Sequence, residues 1–189
     1  HGRQLRDVPA SVQSATGADL RRQDALDLTE FLERNLGSVS MGAGQGNRFQ
    51  PDIQYRGFVA SPLLGLPQGL SVFVDGVRVN EAFGDTVNWD LIPRNAISTM
   101  HLLSGSNPAF GLNTLGGALS VQTKSGFAYP VATSRLTSGA FGRRAGEFEL
   151  GGHGEYADYF VAGNMLNERG GRERSESRVR QLFGKVGWQ

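Results

Sequence analysis

The strongest constraint on how this chain folds lies at Asp75-Gly76. Val72, Phe73 and Val74 run up to that pair, and Val77, Arg78 and Val79 run away from it. Both central residues of a type I′ turn need positive φ, which Asp tolerates and Gly adopts freely, so the pattern predicts a β-hairpin. The turn itself explains the aspartate, with no catalytic or metal-binding role needed. This hairpin is the middle of three glycine-punctuated blocks between Asp52 and Lys124. Ile53-Gln54-Tyr55-Arg56-Gly57-Phe58 precedes it. Gly105-Ser106-Asn107-Pro108-Ala109-Phe110-Gly111 follows, then Gly116-Gly117 and a β-like run ending at Thr123-Lys124.

Other elements can be read around these blocks. Between Asp24 and Leu36, the residues Leu28, Phe31, Leu32 and Leu36 fall at helical spacing. Asp27 and Glu30 are set like a capping pair, and Gly37 is placed to end the helix. Ser38 to Arg48 contains Gly42, Gly44 and Gly46 with little to bury, and reads as a flexible loop. Ile53 to Arg56 predicts one short strand closed by Gly57. Asp90 to Ala96 predicts a single helical turn limited by Pro93. Ile97 to Leu103 and Ala118 to Thr123 read as strands, and Gly105 to Gly117 as a compact structured loop.

Beyond Phe127 the period becomes two. Ala132, Leu136 and Ala140 alternate with polar neighbours, Phe148 and Leu150 with Glu147 and Glu149, and Leu182, Val186 and Trp188 with Gln181, Lys185 and Gln189. Such alternation puts an apolar row on one face and a polar row on the other. Tyr156 to Asn167 is a further strand candidate. Gly152-His153-Gly154 reads as a tight turn and Asn167 to Ser177 as a longer solvated loop, an asymmetry typical of transmembrane barrels.

Composition narrows the function. The 189 residues correspond to one domain or two small ones. Glycine takes 27 positions, roughly twice its usual share. The balance of 19 Lys and Arg against 18 Asp and Glu gives no support to nucleic-acid binding. Disulfides and thiolate metal sites are excluded because there are no cysteines. His1, His101 and His153 are far apart and show no metal-ligand spacing. Gly105 to Gly111 lacks the Lys-Ser or Lys-Thr of a phosphate-binding loop, and no nucleophile elbow is present. No convergent set of titratable groups can be assembled, so neither enzymatic activity nor a cofactor is expected. No apolar run approaches a membrane-spanning helix. His1 to Arg6 lacks a signal peptide's hydrophobic stretch, so an exported protein is expected to have lost its signal already.

The three blocks, in this order, resemble the plug domain of TonB-dependent outer-membrane receptors. The matches are Tyr55-Arg56-Gly57, Val74-Asp75-Gly76-Val77, and Gly111, Gly116 and Gly117 before Val121-Gln122-Thr123-Lys124. The resemblance implies an α+β plug domain over residues 1–127, a small mixed β-sheet with short helices. Residues 128–189 would be the first antiparallel strands of a transmembrane β-barrel that is incomplete here, as in a fragment of a longer chain. Such a plug closes the barrel lumen. The implied function is gated, energy-coupled import of a scarce nutrient across the bacterial outer membrane, a ferric siderophore or other metal chelate foremost. The implied partners are a TonB-type energy-coupling protein in the periplasm, an extracellular small-molecule substrate (metal chelate, cobalamin or carbohydrate) and outer-membrane lipid. The alternative is a soluble periplasmic binding or adhesion module without transport activity.

Departures from the family pattern are also plain. Ser104-Gly105-Ser106 stands where a basic residue precedes Gly-Pro, His101 replaces an acidic residue, Phe110 replaces Tyr, and no TonB box is evident ahead of Leu5. The resemblance assigns a structural role to Arg56, Gly57, Asp75, Gly76, Gly105, Gly111, Gly116 and Gly117. For Arg56 two readings stand, an ordinary surface arginine or one tied to carboxylates of the barrel wall. The connections from Ala60 to Gln68 and from Glu81 to Trp89 carry Leu63, Leu64, Leu66, Phe83 and Trp89. These residues either pack back on the domain or project outward, and by resemblance Leu63, Phe83, Gly84 and Asp85 face substrate.

Overall fold

The computed structural model describes residues 11–23, 28–42, 50–106, 110–111, 113–169 and 176–188. It divides into two compact units, His1–Ile92 with Ile97–Thr123, and Pro93–Ala96 with Lys124–Gln189.

The first unit begins with β1 (Val12–Thr16), which passes into helix α1 (Gly17–Gln23) through a capping box. Thr16 Oγ1 accepts from the Asp19 N–H at 3.3 Å, and the Asp19 carboxylate accepts from the Thr16 N–H at 2.9 Å and hydroxyl at 2.6 Å. These bonds from Thr16, joined by one from Arg22, hold the Asp19 carboxyl below its ordinary range. The sequence reading had no helix here, because α1 buries little besides Leu20 and so shows no apolar stripe. Helix α2 (Leu28–Asn35) buries Leu28, Phe31 and Leu32, within the span expected to be helical. The Asp27 half of the expected capping pair lies outside the described residues. After α2 the left-handed position is Ser38, with φ of 63°, one residue beyond Gly37. The Gly37 N–H instead donates to Gln13 Oε1 at 2.6 Å.

The stretch expected to be a flexible loop after α2 starts with a strand. β2 (Val39–Gly42) pairs antiparallel with β3 (Asp52–Tyr55), because Val39 and Met41 pack against the core and give the segment a buried side. β3 returns through Arg56 and Gly57, with φ of 50° and 85°, into β4 (Phe58–Ala60). A second hairpin therefore stands where one strand was expected, since Arg56 conceals the first half of the turn signal. β5 (Leu70–Val74) and β6 (Val77–Arg78) form the hairpin expected at Asp75-Gly76, with φ of 49° and 82°. Two 3₁₀ turns, Trp89–Leu91 and Arg94–Ala96, flank Ile92-Pro93 in place of the single helical turn. β7 (Ile97–Ser104) and β8 (Gly117–Thr123) complete a five-stranded sheet of order β1-β7-β8-β5-β6, in which β5 and β8 run parallel. The sheet is thus mixed. Its core joins Val72, Met100, Leu102, Leu119 and Val121 to Phe31 and Leu32 of α2 and to Ile53 and Tyr55 of β3.

The second unit is built on four antiparallel strands: β9 (Ala132–Ser138), β10 (Arg144–His153), β11 (Ala157–Glu168) and β12 (Ser177–Trp188), in the order β12-β11-β10-β9. Among the described residues the strands form no closed barrel. The tight turn lies at residues 154–156, closed by the Gly154 N–H donating to Ala157 O at 2.8 Å. His153, expected inside that turn, is the last residue of β10 instead. Alternation holds along β12, where Leu182, Val186 and Trp188 are 77%, 71% and 82% exposed. Phe148 and Leu150 of β10, Tyr159 and Met165 of β11 and Leu136 of β9 are exposed with them. The opposite face carries Phe160 and Ala162, buried with Ala96. An apolar row turned outward on every strand is the pattern of a barrel wall meeting hydrocarbon.

That opposite face also holds paired charges. Lys124 is 1% exposed; its Nζ donates to Asn95 O at 2.8 Å and to Glu149 Oε2 at 2.5 Å, and lies 5.6 Å from the ring centroids of Tyr129 and Phe160. Arg94 pairs with Glu147. The Asn95 amide donates to Phe148 O at 3.2 Å and Gly163 O at 3.1 Å. Residues 93–96 are thereby fixed to β10 and β11.

Candidate functional site

Three connections of the first unit meet: residues 60–68, 79–87, and 110–111 with 113–117. Each is held by side-chain hydrogen bonds. Gln68 accepts from the Ser61 N–H at 2.9 Å and donates to Leu63 O at 3.2 Å, closing the first loop on itself. Asn80 accepts from the Val72 N–H at 2.8 Å and donates to Leu70 O and to Asp85 O, both at 3.2 Å, which ties the second loop to β5. Ser71 and Thr114 share a buried hydroxyl bond of 2.7 Å that ties β5 to the third.

Asp85 links two of these loops. It adopts a φ of 52°, pairs with Arg78 at 3.0 Å and accepts from the Asn113 amide. A side chain on Gly84, whose φ is 79°, would collide with Leu64, so the first two loops touch there. Phe83 projects freely at 80% exposure, with Leu64 also exposed, while Leu63 is half-buried. Of the two alternatives for these apolar residues, Trp89 takes the first and packs back on the domain. It is 3% exposed, and its indole N–H donates to Ala60 O at 3.2 Å. The result is a surface with an aromatic and an aliphatic projection beside one carboxylate and two amides, which suits a mixed polar and apolar ligand.

The other motif residues serve turns and close approaches. Arg56 is exposed at its turn, its guanidinium 5.4 Å from the Tyr55 ring centroid. Gly57, Gly76, Gly105 and Gly111 all hold positive φ. Gly116 lies against the Phe58 ring, and a Cβ on Gly117 would strike Leu103 O across the sheet. The residues that depart from the family pattern have partners of their own. His101 Nδ1 lies 2.8 Å from Ser14 Oγ, Ser104 Oγ donates to Ser11 O at 3.1 Å, and Phe110 packs 5.6 Å from Phe73. The segment ahead of Leu5 lies outside the described residues. Among the described residues no three His, Cys, Asp or Glu are grouped to hold a metal ion.

Asp75 does more than form its turn. Its carboxylate accepts from the Thr123 N–H at 2.8 Å and from the Thr123 hydroxyl, pinning the hairpin tip to the end of β8. Asp75→Ala removes both acceptors and places a Cβ-bearing, non-bonding residue at positive φ. A loss of about 1.5–3 kcal/mol is expected, with Asp75→Asn losing less, measured by urea unfolding of the two variants.

These features define a plug domain followed by barrel-type strands. Residues 4–118 match the family model described as TonB-dependent Receptor Plug Domain, and the chain belongs to that family. The Vitamin B12 transporter BtuB of Photobacterium profundum is 27% identical over 149 residues, covering 78% of this chain and 22% of that protein. Two solved structures share the fold. BauA, the ferric preacinetobactin receptor from Acinetobacter baumannii, aligns with a TM-score of 0.77 and 17% identity over 99% of this chain and 27% of its own. The ferric-catecholate import receptor Fiu from E. coli K12 aligns with a TM-score of 0.71 and 16% identity over 97% of this chain and 25% of its own. The chain thus spans about a quarter of the length of the proteins it matches.

Proposed function

We propose that this chain is the gate and first wall strands of an outer-membrane importer that takes up a metal chelate, a ferric siderophore foremost, with energy supplied through a TonB-type protein in the periplasm. The observation that carries the proposal is the order of its parts: a plug-family domain over residues 4–118 followed by four strands with an exposed apolar face. A water-soluble binding module has no use for such a face. In the complete protein the plug closes the lumen, and mechanical work moves it aside once substrate is held outside. Cobalamin is the second candidate, favoured by the 27% identity to a protein named as a vitamin B12 transporter.

The test is uptake of ⁵⁵Fe-siderophore and of labelled cobalamin by a deletion strain carrying the full receptor. Import of one of the two, lost on deletion and on collapse of the proton gradient, supports the proposal. Neither substrate entering, with the protein recovered in the soluble periplasmic fraction, overturns it.

We also propose that the loop surface around Phe83 contacts substrate. Gly84 and Asp85 hold their turn, so replacing them would disturb the loop itself. Phe83→Ser combined with Leu63→Ser is the cleaner probe. It is expected to weaken binding of the imported compound by roughly tenfold, or 1.4 kcal/mol, with the unfolding midpoint no lower than that of Leu63→Ser alone. Unaltered affinity would remove both residues from the site.

A further inference from the structure

The exposed face of the second unit has chemically different ends. At the tight-turn end it presents Tyr156, Tyr159, Val186 and Trp188, all exposed. The aromatic residues among them are those that favour a membrane–water boundary. The other end presents arginine. The strand register places Arg144 opposite Asn167 and Asn167 opposite Arg178, so these three share one row and one face; Met165 opposite Arg180 occupies the next row. Arg144, Arg178 and Arg180 are all exposed. Arg144 and Arg178 stand two strands apart, about 10 Å, and Arg178 and Arg180 about 7 Å apart along one strand. Arg144, Asn167, Arg169 and Arg178 also line a cleft of ≈ 620 Å³, in which the carboxylates are Glu168, paired with Arg143, and the exposed Glu176. Among the described residues no carboxylate pairs with Arg144, Arg178 or Arg180.

We infer that Arg144, Arg178 and Arg180 form a binding site for the phosphate groups of a phosphorylated lipid in the outer leaflet. The inference rests on the reading of this unit as membrane wall. Arg178 to Trp188 spans about 33 Å of strand, about 25 Å along the membrane normal at the ~40° tilt of such barrels, which is the height of their apolar band. Trp188 and the arginines therefore mark its two borders. An arginine facing lipid is costly at mid-bilayer and nearly free of cost at the border, so the position of all three at one edge is where such residues are tolerated. At this end Ser138 is followed by Arg144 after five residues and Glu168 by Ser177 after eight, against three between His153 and Ala157 at the other end. In these barrels the longer connections are extracellular. Guanidinium groups bind phosphate oxygens bidentately and in fixed geometry. Met165 and Leu136, exposed in the row of Arg180, and Leu182, exposed in the row below it, offer apolar contact for the acyl chains of the same molecule. A free phosphate would use the arginines alone.

The test uses the full receptor in non-ionic detergent, titrated with bisphosphorylated lipid A, lipid A stripped of phosphate, and inorganic phosphate. R144Q/R178Q/R180Q is expected to weaken binding of phosphorylated lipid A by roughly tenfold or more, with the matching triple Lys variant weakened less. Binding of the stripped lipid should stay the same in all three proteins. Equal affinity of wild type and the Gln variant for phosphorylated lipid overturns the inference. So does displacement of the lipid by inorganic phosphate at comparable concentration, which would assign a free-anion site. Should the Gln variant fail to fold, as judged by heat-modifiable migration, the wild type decides through salt. Its affinity for phosphorylated lipid must fall between low salt and 1 M, where screening is strong, and an unchanged affinity overturns the site. Substrate uptake measured in parallel separates loss of lipid binding from failure of the import proposal.

Discussion

Lys124→Met is expected to lower the stability of the second unit by about 3 kcal/mol or more, although methionine fills nearly the same volume. The lysine is 1% exposed and its ammonium has Asn95 O at 2.8 Å and Glu149 at 2.5 Å. A buried ion pair gains little over a well-packed apolar pair, because desolvation offsets most of the attraction. Breaking it from one side is different, since a desolvated carboxylate is left without its cation. Glu149 retains 13% side-chain exposure, which places the effect toward the lower end of the range for such losses. The double variant Lys124→Met with Glu149→Leu should recover most of the stability. Urea unfolding in lipid vesicles measures all three proteins. Equal losses for the single and double variants would show that the carboxylate was never dependent on Lys124.

This pair also marks how far the sequence could be read. Asp75-Gly76 was legible because a type I′ turn is specified by two adjacent residues, and the period-two rows after Phe127 because a strand with one apolar face writes that face into alternate positions. Lys124 was legible as the end of a strand and a family motif. Its partners were not, because Glu149 is 25 positions away and Asn95 is 29, and no local pattern encodes either contact. β2 was hidden for a related reason. Val39 and Met41 are two apolar residues beside a glycine-rich stretch, and they form a strand only because β3 offers an edge and the core offers burial. Among the loops around the candidate site, position in the chain could be read but side-chain direction could not. Phe83 and Trp89 lie six residues apart in one connection, and one points out while the other points in.

That contrast yields the second large effect. Trp89→Ala is expected to cost about 3–5 kcal/mol, the range for deleting a buried large aromatic, and to release Ala60 O from its indole donor. Trp89→Phe keeps most of the apolar contact and gives up the hydrogen bond, so a loss of about 1–3 kcal/mol is expected. If Trp89 instead belonged to the ligand surface, both variants would bind substrate weakly while unfolding like the wild type. The opposite is expected: substrate affinity per folded molecule stays near the wild-type value in Trp89→Phe, while its urea midpoint falls. Phe83→Ser should behave in reverse, with affinity lost and the midpoint kept, because an 80% exposed ring contributes little to the core. The two aromatics of one connection are therefore separated by a paired measurement of binding and unfolding. A Trp89→Phe protein with wild-type stability and lost binding would return the indole to the site and leave Ala60 O indifferent to it.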